Sequence, residues 1–319
     1  MHAAETKWLT ARCSELLPVP YFHVVFTLPH ELSTLVLQNK RLLYDLLFRA
    51  SAATMLEVAR DPKHLGADIG LLSVLHTWGQ NLQHHPHIHC IVPAGGLTKD
   101  RSGWIAASPR FFLPLYVLSR VFRRKFADGL EQIFDQDKLQ FHGSLEELAD
   151  PERFRKFLKQ LFIKEWVVYA KPPFGGAEHV LNYLARYTHR VAISNHRLVA
   201  FNDDCVSFRW KDYAANSKQK IMTVSPDEFL RRFLIHVLPK GLVRIRHFGL
   251  FANRKRSASL LRCRSLLNVT APLRDPTSAA QPTRCPHCAQ PMLVVERFTS
   301  HQLLVAPAIA PPGPRLDSS

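Results

Sequence analysis

Cysteine is scarce, with six residues in a chain of 319, at positions 13, 90, 205, 263, 285 and 288. That is too few for a disulfide scaffold at this length. Glycine is also sparse, at 13 residues, while aromatics reach 10% and apolar residues 46%. Disorder through most of the chain is thereby excluded, and one large domain or two small ones can be built. Acidic residues fall short of basic ones, 26 against 42, leaving a formal net charge of +16. A field of that sign attracts polyanions, of which nucleic acid is the commonest, although a merely basic soluble protein gives the same count. The N-terminal "MHAAETKWLTARCSELLPVP" lacks the apolar run of a signal peptide. Charge itself is missing from Ile69 to Thr98. Gln, Asn, Gly, Pro and several histidines interrupt that stretch, so it reads as buried sheet and not as a membrane span. No membrane partner is expected, and the location expected is cytoplasmic.

The elements follow from periodicity. "YFHVVFT" (21–27) reads as a strand stopped by Pro29. Leucines at helical spacing from Glu31 to Arg60 predict a helix ended by Asp61-Pro62. "IGLLSVLHTW" (69–78) and "HIHCIV" (87–92) predict an antiparallel pair, with His84 and His85 in the connector. Pro114 opens a helix to about Phe134, Ser144 with Glu147 reads as a capping box, and Pro151 starts another helix. "EWVVYAK" (165–171) is a fourth strand, and "AEHVLNYLARYTHR" is a helix. A β-meander turning at Asn202 to Asp204 comes next, then a helix capped by Ser225. Strand, helix, strand, strand, helices, strand, helix is the split β-α-β order of an α+β, ferredoxin-like (RRM-like) antiparallel sheet, here with helical insertions.

"HHPHIH" (84–89) places four histidines in six positions. Alternation on a strand points His87 and His89 one way, about 7 Å apart at the backbone, and Ile88, Cys90 and Val92 the other. Two such imidazoles can hold one divalent ion, whereas an isolated pair is more often a set of satisfied, half-buried histidines. On the neighbouring strand His76, Trp78 and Gln80 share a face. Gln80 is the preferred third ligand with His76 behind it, and simple hydrogen bonding at a strand end is an equal alternative. Tyr183 and Tyr187 are spaced i, i+4, which stacks two phenols on one helix face beside Arg186, His189 and Arg190. Aromatic packing explains such a pair too. The apolar side of that helix, however, is already supplied by Val180, Leu181, Leu184 and Ala185. Phenols near cations and a metal suit nucleophilic attack on a phosphodiester.

"VLHTWGQNLQHHPHIHCIVPAGG" and "GGAEHVLNYLARYTHRVAISNHR" together closely resemble the two-tyrosine rolling-circle transposases of bacterial insertion sequences. These are members of the HUH superfamily of single-strand endonucleases, and the resemblance runs from about Pro18 to about Asn268. It implies an HUH core with His87 and His89 as metal ligands and Tyr183 and Tyr187 as nucleophiles. It further implies Mg²⁺ or Mn²⁺ as cofactor, and single-stranded DNA at the element's ends and target as substrate. The expected setting is the bacterial nucleoid. Members of the family usually carry a cysteine-rich zinc module ahead of the first strand. Cys13 is the one cysteine in that region here, so the module is expected to be lacking and residues 1–17 to be a remnant N-terminal segment.

Weaker signals lie downstream. From Lys240 to Asp275 nine Lys or Arg face one acid, and Arg254, Lys255 and Arg256 with nearby Phe248 and Phe251 suit a phosphate-tracking arm. Cys285 and Cys288 have the spacing of half a zinc site, equally well read as unpaired cysteines. The organisation expected is a catalytic domain over 18–220, a basic DNA-binding extension over 221–275 and a Pro-rich, partly disordered tail over 276–319. Rival readings are a non-catalytic nucleic-acid-binding module, a metallohydrolase that needs no tyrosine, and a replication initiator or relaxase. Oligomeric state is not legible.

Overall fold

The computed structural model describes residues 15–108, 112–171, 192–212 and 215–268. The chain divides into two units, Met1–Ala271 and Pro272–Ser319, and every described residue lies in the first. The expected helix bearing Tyr183 and Tyr187, and Cys285 and Cys288, lie outside the described residues, as does most of 1–17.

Strand β1 (Tyr21–Thr27) alternates as expected, burying Phe22, Val24 and Phe26 on one face. The helical stretch after it is not one helix. A 3-10 turn over His30–Leu32 leads into α1 (Ser33–Gln38) and then α2 (Lys40–Arg60). Asn39 makes the break. Its backbone leaves helical geometry (φ −120°, ψ 38°), and its amide group donates to Leu35 O at 3.1 Å and Gln140 O at 2.9 Å. Its Oδ1 accepts from Gln140 N at 2.8 Å. A side chain that binds a distant loop this fully is worth more than continuing the helix.

Strands β2 (Gly70–Trp78) and β3 (His84–Pro93) form the charge-free pair. β3 begins three residues earlier than the sequence suggested, so His84 and His85 stand on the strand instead of in a connector. A small hairpin, β4 (Gly95–Leu97) with β5 (Trp104–Ala106), precedes α3 (Leu115–Asp135), which Pro114 opens as expected. The expected capping box at Ser144 does not form. Residues Gly143–Ala149 make a 3-10 helix with no side-chain cap, and Glu146 Oε1 accepts from Gly143 N at 3.0 Å. Helix α4 (Pro151–Gln160) is capped by Asp150, which accepts from Arg153 N at 2.9 Å. The fourth core strand, β6, is short (Val168–Lys171), because Trp166 before it turns into the core and its indole donates to Leu161 O at 2.9 Å. The meander is β7 (Leu198–Phe201), β8 (Val206–Asp212) and β9 (Lys218–Val224), turning at Asn202. Ser225 caps α5 (Pro226–Leu234), followed by β10 (Ile245–Gly249) and α6 (Arg256–Leu266).

The main sheet runs β10-β2-β3-β1-β6, with every neighbouring pair antiparallel. Without β10, the order β2-β3-β1-β6 is that of the split β-α-β plan. The fifth strand comes from the segment expected as an extension and pairs along β2, Gly249 opposite Gly70. Helices α2 and α3 cover one face of this sheet. Phe22, Val24, Phe26, Leu71, Leu75, Ile88, Cys90 and Val92 from the strands meet Leu43, Leu47, Phe48, Phe122, Phe126 and Leu130 from the helices. Each fully buried large side chain contributes roughly 1.5–3 kcal/mol. With one face committed to that core, alternation turns His87 and His89 to the other. Among the described residues no helix is long and apolar enough to cross a membrane.

Candidate metal centre

Register decides which residues share the open face. Pairing sets His76 opposite His87, and Val25 and Val74 opposite His89. The imidazoles of His76, His87 and His89 converge, each offering a ring nitrogen, and these three atoms lie within 4.8 Å of one another. Ring centroids are 4.2 Å apart for His76 and His89, 4.8 Å for His87 and His89, and 5.4 Å for His76 and His87. The β2–β3 register shifts between His76 and Trp78. The indole of Trp78 stacks on His76 at 5.1 Å and 14°, which holds that ring against its neighbours.

The hydrogen bonds say which nitrogens are available. His87 Nδ1 is 2.6 Å from the His85 carbonyl. A carbonyl only accepts, so Nδ1 carries the proton and Nε2 the lone pair. His89 Nδ1 is 2.7 Å from His23 Nε2, and His89 Nε2 is buried with no hydrogen-bond partner among the described residues. Burial pushes His87 down to about 3 and His23 to about 4, the Lys171 charge adding to the latter. His76 and His89 are lowered well below the ordinary imidazole value by the same desolvation. The cluster is therefore neutral at physiological pH, the state in which imidazole binds a metal. The buried His89 Nε2, with no hydrogen-bond partner among the described residues, beside a ring nitrogen from each of His76 and His87, fits a divalent ion. Such an ion would be held by His76, His87 and His89.

One end of the strands β1, β2 and β3 and the meander line an open cleft over this triad, lined further by Gln80, Trp210 and Lys211. No Asp or Glu lines it among the described residues. Phe208 of β8 packs with Trp78 and Leu82, which brings the meander to the β2–β3 turn. The guanidinium of Arg244 lies 5.0 Å over the Trp78 ring, and burial lowers it to about 10, so it stays charged at neutral pH. The surroundings are cationic and aromatic.

Of the residues singled out from sequence, His87 and His89 come together, joined by His76. Gln80 stands in the turn after β2 and not on the strand, its carbonyl held by Arg197. Tyr183, Tyr187, Arg186 and Arg190 are outside the described residues. Arg254 and Lys255 are exposed ahead of α6, and Arg256 pairs with Glu15 at 3.4 Å. They follow β10 past the Gly70 end of β2, six residues or roughly 20 Å along an extended strand from His76. His23, Trp210, Lys211 and Arg244 carried no motif. The one available signal was a lone histidine on the outward face of "YFHVVFT".

Fold and site define an α+β protein with a cluster of three histidines that could hold a metal ion, on the open face of an antiparallel sheet. A family model described as "Putative transposase" matches residues 70–258, and the chain belongs to that family. The chain is 53% identical over 309 residues to a "Putative transposase" of Sinorhizobium fredii (strain NBRC 101917 / NGR234), covering 92% of this chain and 78% of that one. It is 29% identical over 255 residues to the transposase for insertion sequence element IS801 of Pseudomonas savastanoi pv. phaseolicola. That match covers 79% of this chain and 59% of the relative. Among solved structures it is similar to the metal-bound conjugative relaxase TrwC in complex with oriT DNA. The TM-score there is 0.30 at 12% identity, over 79% of this chain and 73% of that one.

Proposed function

We propose that this transposase nicks and rejoins single-stranded DNA at the ends of an insertion sequence, by tyrosine attack assisted by a divalent metal, in rolling-circle transposition. The observation that carries the reading is the convergence of His76, His87 and His89, with a ring nitrogen of each within 4.8 Å of the others, in a cleft that no carboxylate lines among the described residues. When bound, the ion supplies Lewis acidity toward a phosphodiester oxygen. The donor set favours Mn²⁺ over Mg²⁺, since three imidazole nitrogens suit a transition ion better than a hard one. Arg244 and Lys211 add positive charge for the polyanion, and the half-buried Trp210 in the cleft lining offers a face for an unstacked base.

Tyr183 and Tyr187 are the nucleophiles in this reading. A phenolic oxygen bonds to phosphorus, the bond from phosphorus to the leaving sugar oxygen breaks, and that oxygen takes up a proton. The phosphotyrosine keeps the energy of the broken ester, so the second strand can be joined without another energy source. The catalytic domain is proposed to take in β10, because it completes the sheet that bears the triad.

The test is adduct formation with labelled single-stranded oligonucleotides and Mn²⁺. Wild type should give a denaturation-resistant protein–DNA complex that EDTA prevents. Tyr183→Phe combined with Tyr187→Phe should give none. Cleavage that persists in that double variant would favour attack by water and remove the covalent step.

A further inference from the structure

A fourth imidazole reaches the triad from β1. His23 is two residues along from Val25, which pairs with His89, and so stands on the same sheet face one diagonal step away. His23 Nε2 and His89 Nδ1 are 2.7 Å apart. The ring planes differ by 10° with centroids 4.9 Å apart, which describes rings joined edge to edge through an N–H···N bond and not stacked face to face. The other nitrogen of His89 is the buried Nε2 that has no hydrogen-bond partner among the described residues.

We propose that His23 is a positioning residue for the metal centre, accepting the Nδ1 proton of His89 and so fixing that ring's tautomer and orientation. The inference rests on the metal reading of the triad. A neutral imidazole has one N–H and one lone pair. If His89 Nε2 is to donate its lone pair to an ion, the proton must stand on Nδ1, and His23 Nε2 must then be the acceptor. His23 holds its own proton on Nδ1 in consequence. For His87 the same task falls to a backbone carbonyl, that of His85. A carbonyl is fixed by the fold, whereas His23 is a side chain and can be replaced. Outer partners of this kind raise ligand basicity and are typically worth 10–100-fold in metal affinity.

Mn²⁺ binding to the full chain, read by electron paramagnetic resonance without DNA, separates the possibilities. His23→Phe, which keeps a ring and removes the acceptor, should weaken binding by about 10–100-fold. His23→Gln, whose carboxamide oxygen reaches the place of Nε2, should recover most of that loss. Wild-type affinity in His23→Phe overturns the proposal, and so does a His23→Gln variant no better than His23→Phe. His89→Ala distinguishes the two levels of argument. If it binds Mn²⁺ as well as wild type, the metal reading fails and takes this inference with it. If it loses binding while His23→Phe does not, only the role of His23 fails. A measurement on the wild type covers the case in which the variants do not fold. In ¹⁵N-histidine protein loaded with Zn²⁺ as a diamagnetic probe, a through-hydrogen-bond nitrogen–nitrogen coupling should link His89 Nδ1 to His23 Nε2. Its absence overturns the proposal.

Discussion

Lowering the pH from 7.5 to 5.5 should unfold the metal-free protein far more readily than a chain of this size would ordinarily allow. Among the described residues, burial lowers His85 and, far more strongly, six other histidines. His84 and His87 are pushed down to about 3, His23 and His236 to about 4, and His76 and His89 well below the ordinary value. In the unfolded chain each regains a value of about 6.5. Below that pH the unfolded state binds protons that the folded state does not, so stability falls as pH falls. It is present in full above about 6.5 and is lost progressively from there toward the folded-state values. Each group contributes about 1.4 kcal/mol per pH unit in that window. Six groups over one unit give an upper figure near 8 kcal/mol, and about half of it is a safer expectation for a crowded cluster. Total stabilities run from about 5 to 15 kcal/mol, so the loss is decisive. Urea unfolding followed by tryptophan fluorescence in EDTA, at pH 7.5, 6.5 and 5.5, measures it. Mn²⁺ at 100 times its dissociation constant should restore about 2.7 kcal/mol. A urea midpoint unchanged between pH 7.5 and 5.5 would refute the reasoning, because the histidines would then titrate alike in both states.

Three further outcomes are expected. His76→Ala should weaken Mn²⁺ binding at least as much as the 10–100-fold typical of an outer partner, and Gln80→Ala much less; the reverse order in a titration would move the third ligand to Gln80. Neutralising Arg254 and Lys255 should flatten the salt dependence of single-strand binding by roughly 0.7 log unit per lost phosphate contact. Arg256→Ala should add less because that side chain already pairs with Glu15, and an unchanged slope in the triple variant would make the cluster a solvated surface. Gly249 has φ +62°, and a Cβ there would run into the Ile69 carbonyl oxygen. Gly249→Ala should therefore cost about 1–3 kcal/mol in thermal unfolding as β10 loosens from β2, and an unaltered melting temperature would contradict it.

Local physics made much of this chain legible. The period-two alternation of "HIHCIV" already separated His87 and His89 from Ile88, Cys90 and Val92, because successive residues of a strand face opposite ways wherever the strand ends up. The order of strands and helices gave the split β-α-β plan for the same reason, and the paired motifs pointed to the transposase family. Asn39 was not legible as a helix break, since its partner Gln140 lies 101 residues away. Nor was the choice of His76 for the triad. It depends on the β2–β3 register, on the irregularity before Trp78 and on the strand ending short of Gln80. His23 is the clearest case. It is 66 residues from His89 in the chain, and only the pairing of β1 with β3 sets its Nε2 beside His89 Nδ1. A residue's own strand determines which face it occupies, but which side chains meet on that face is decided by the register between strands, and register is a property of the folded sheet.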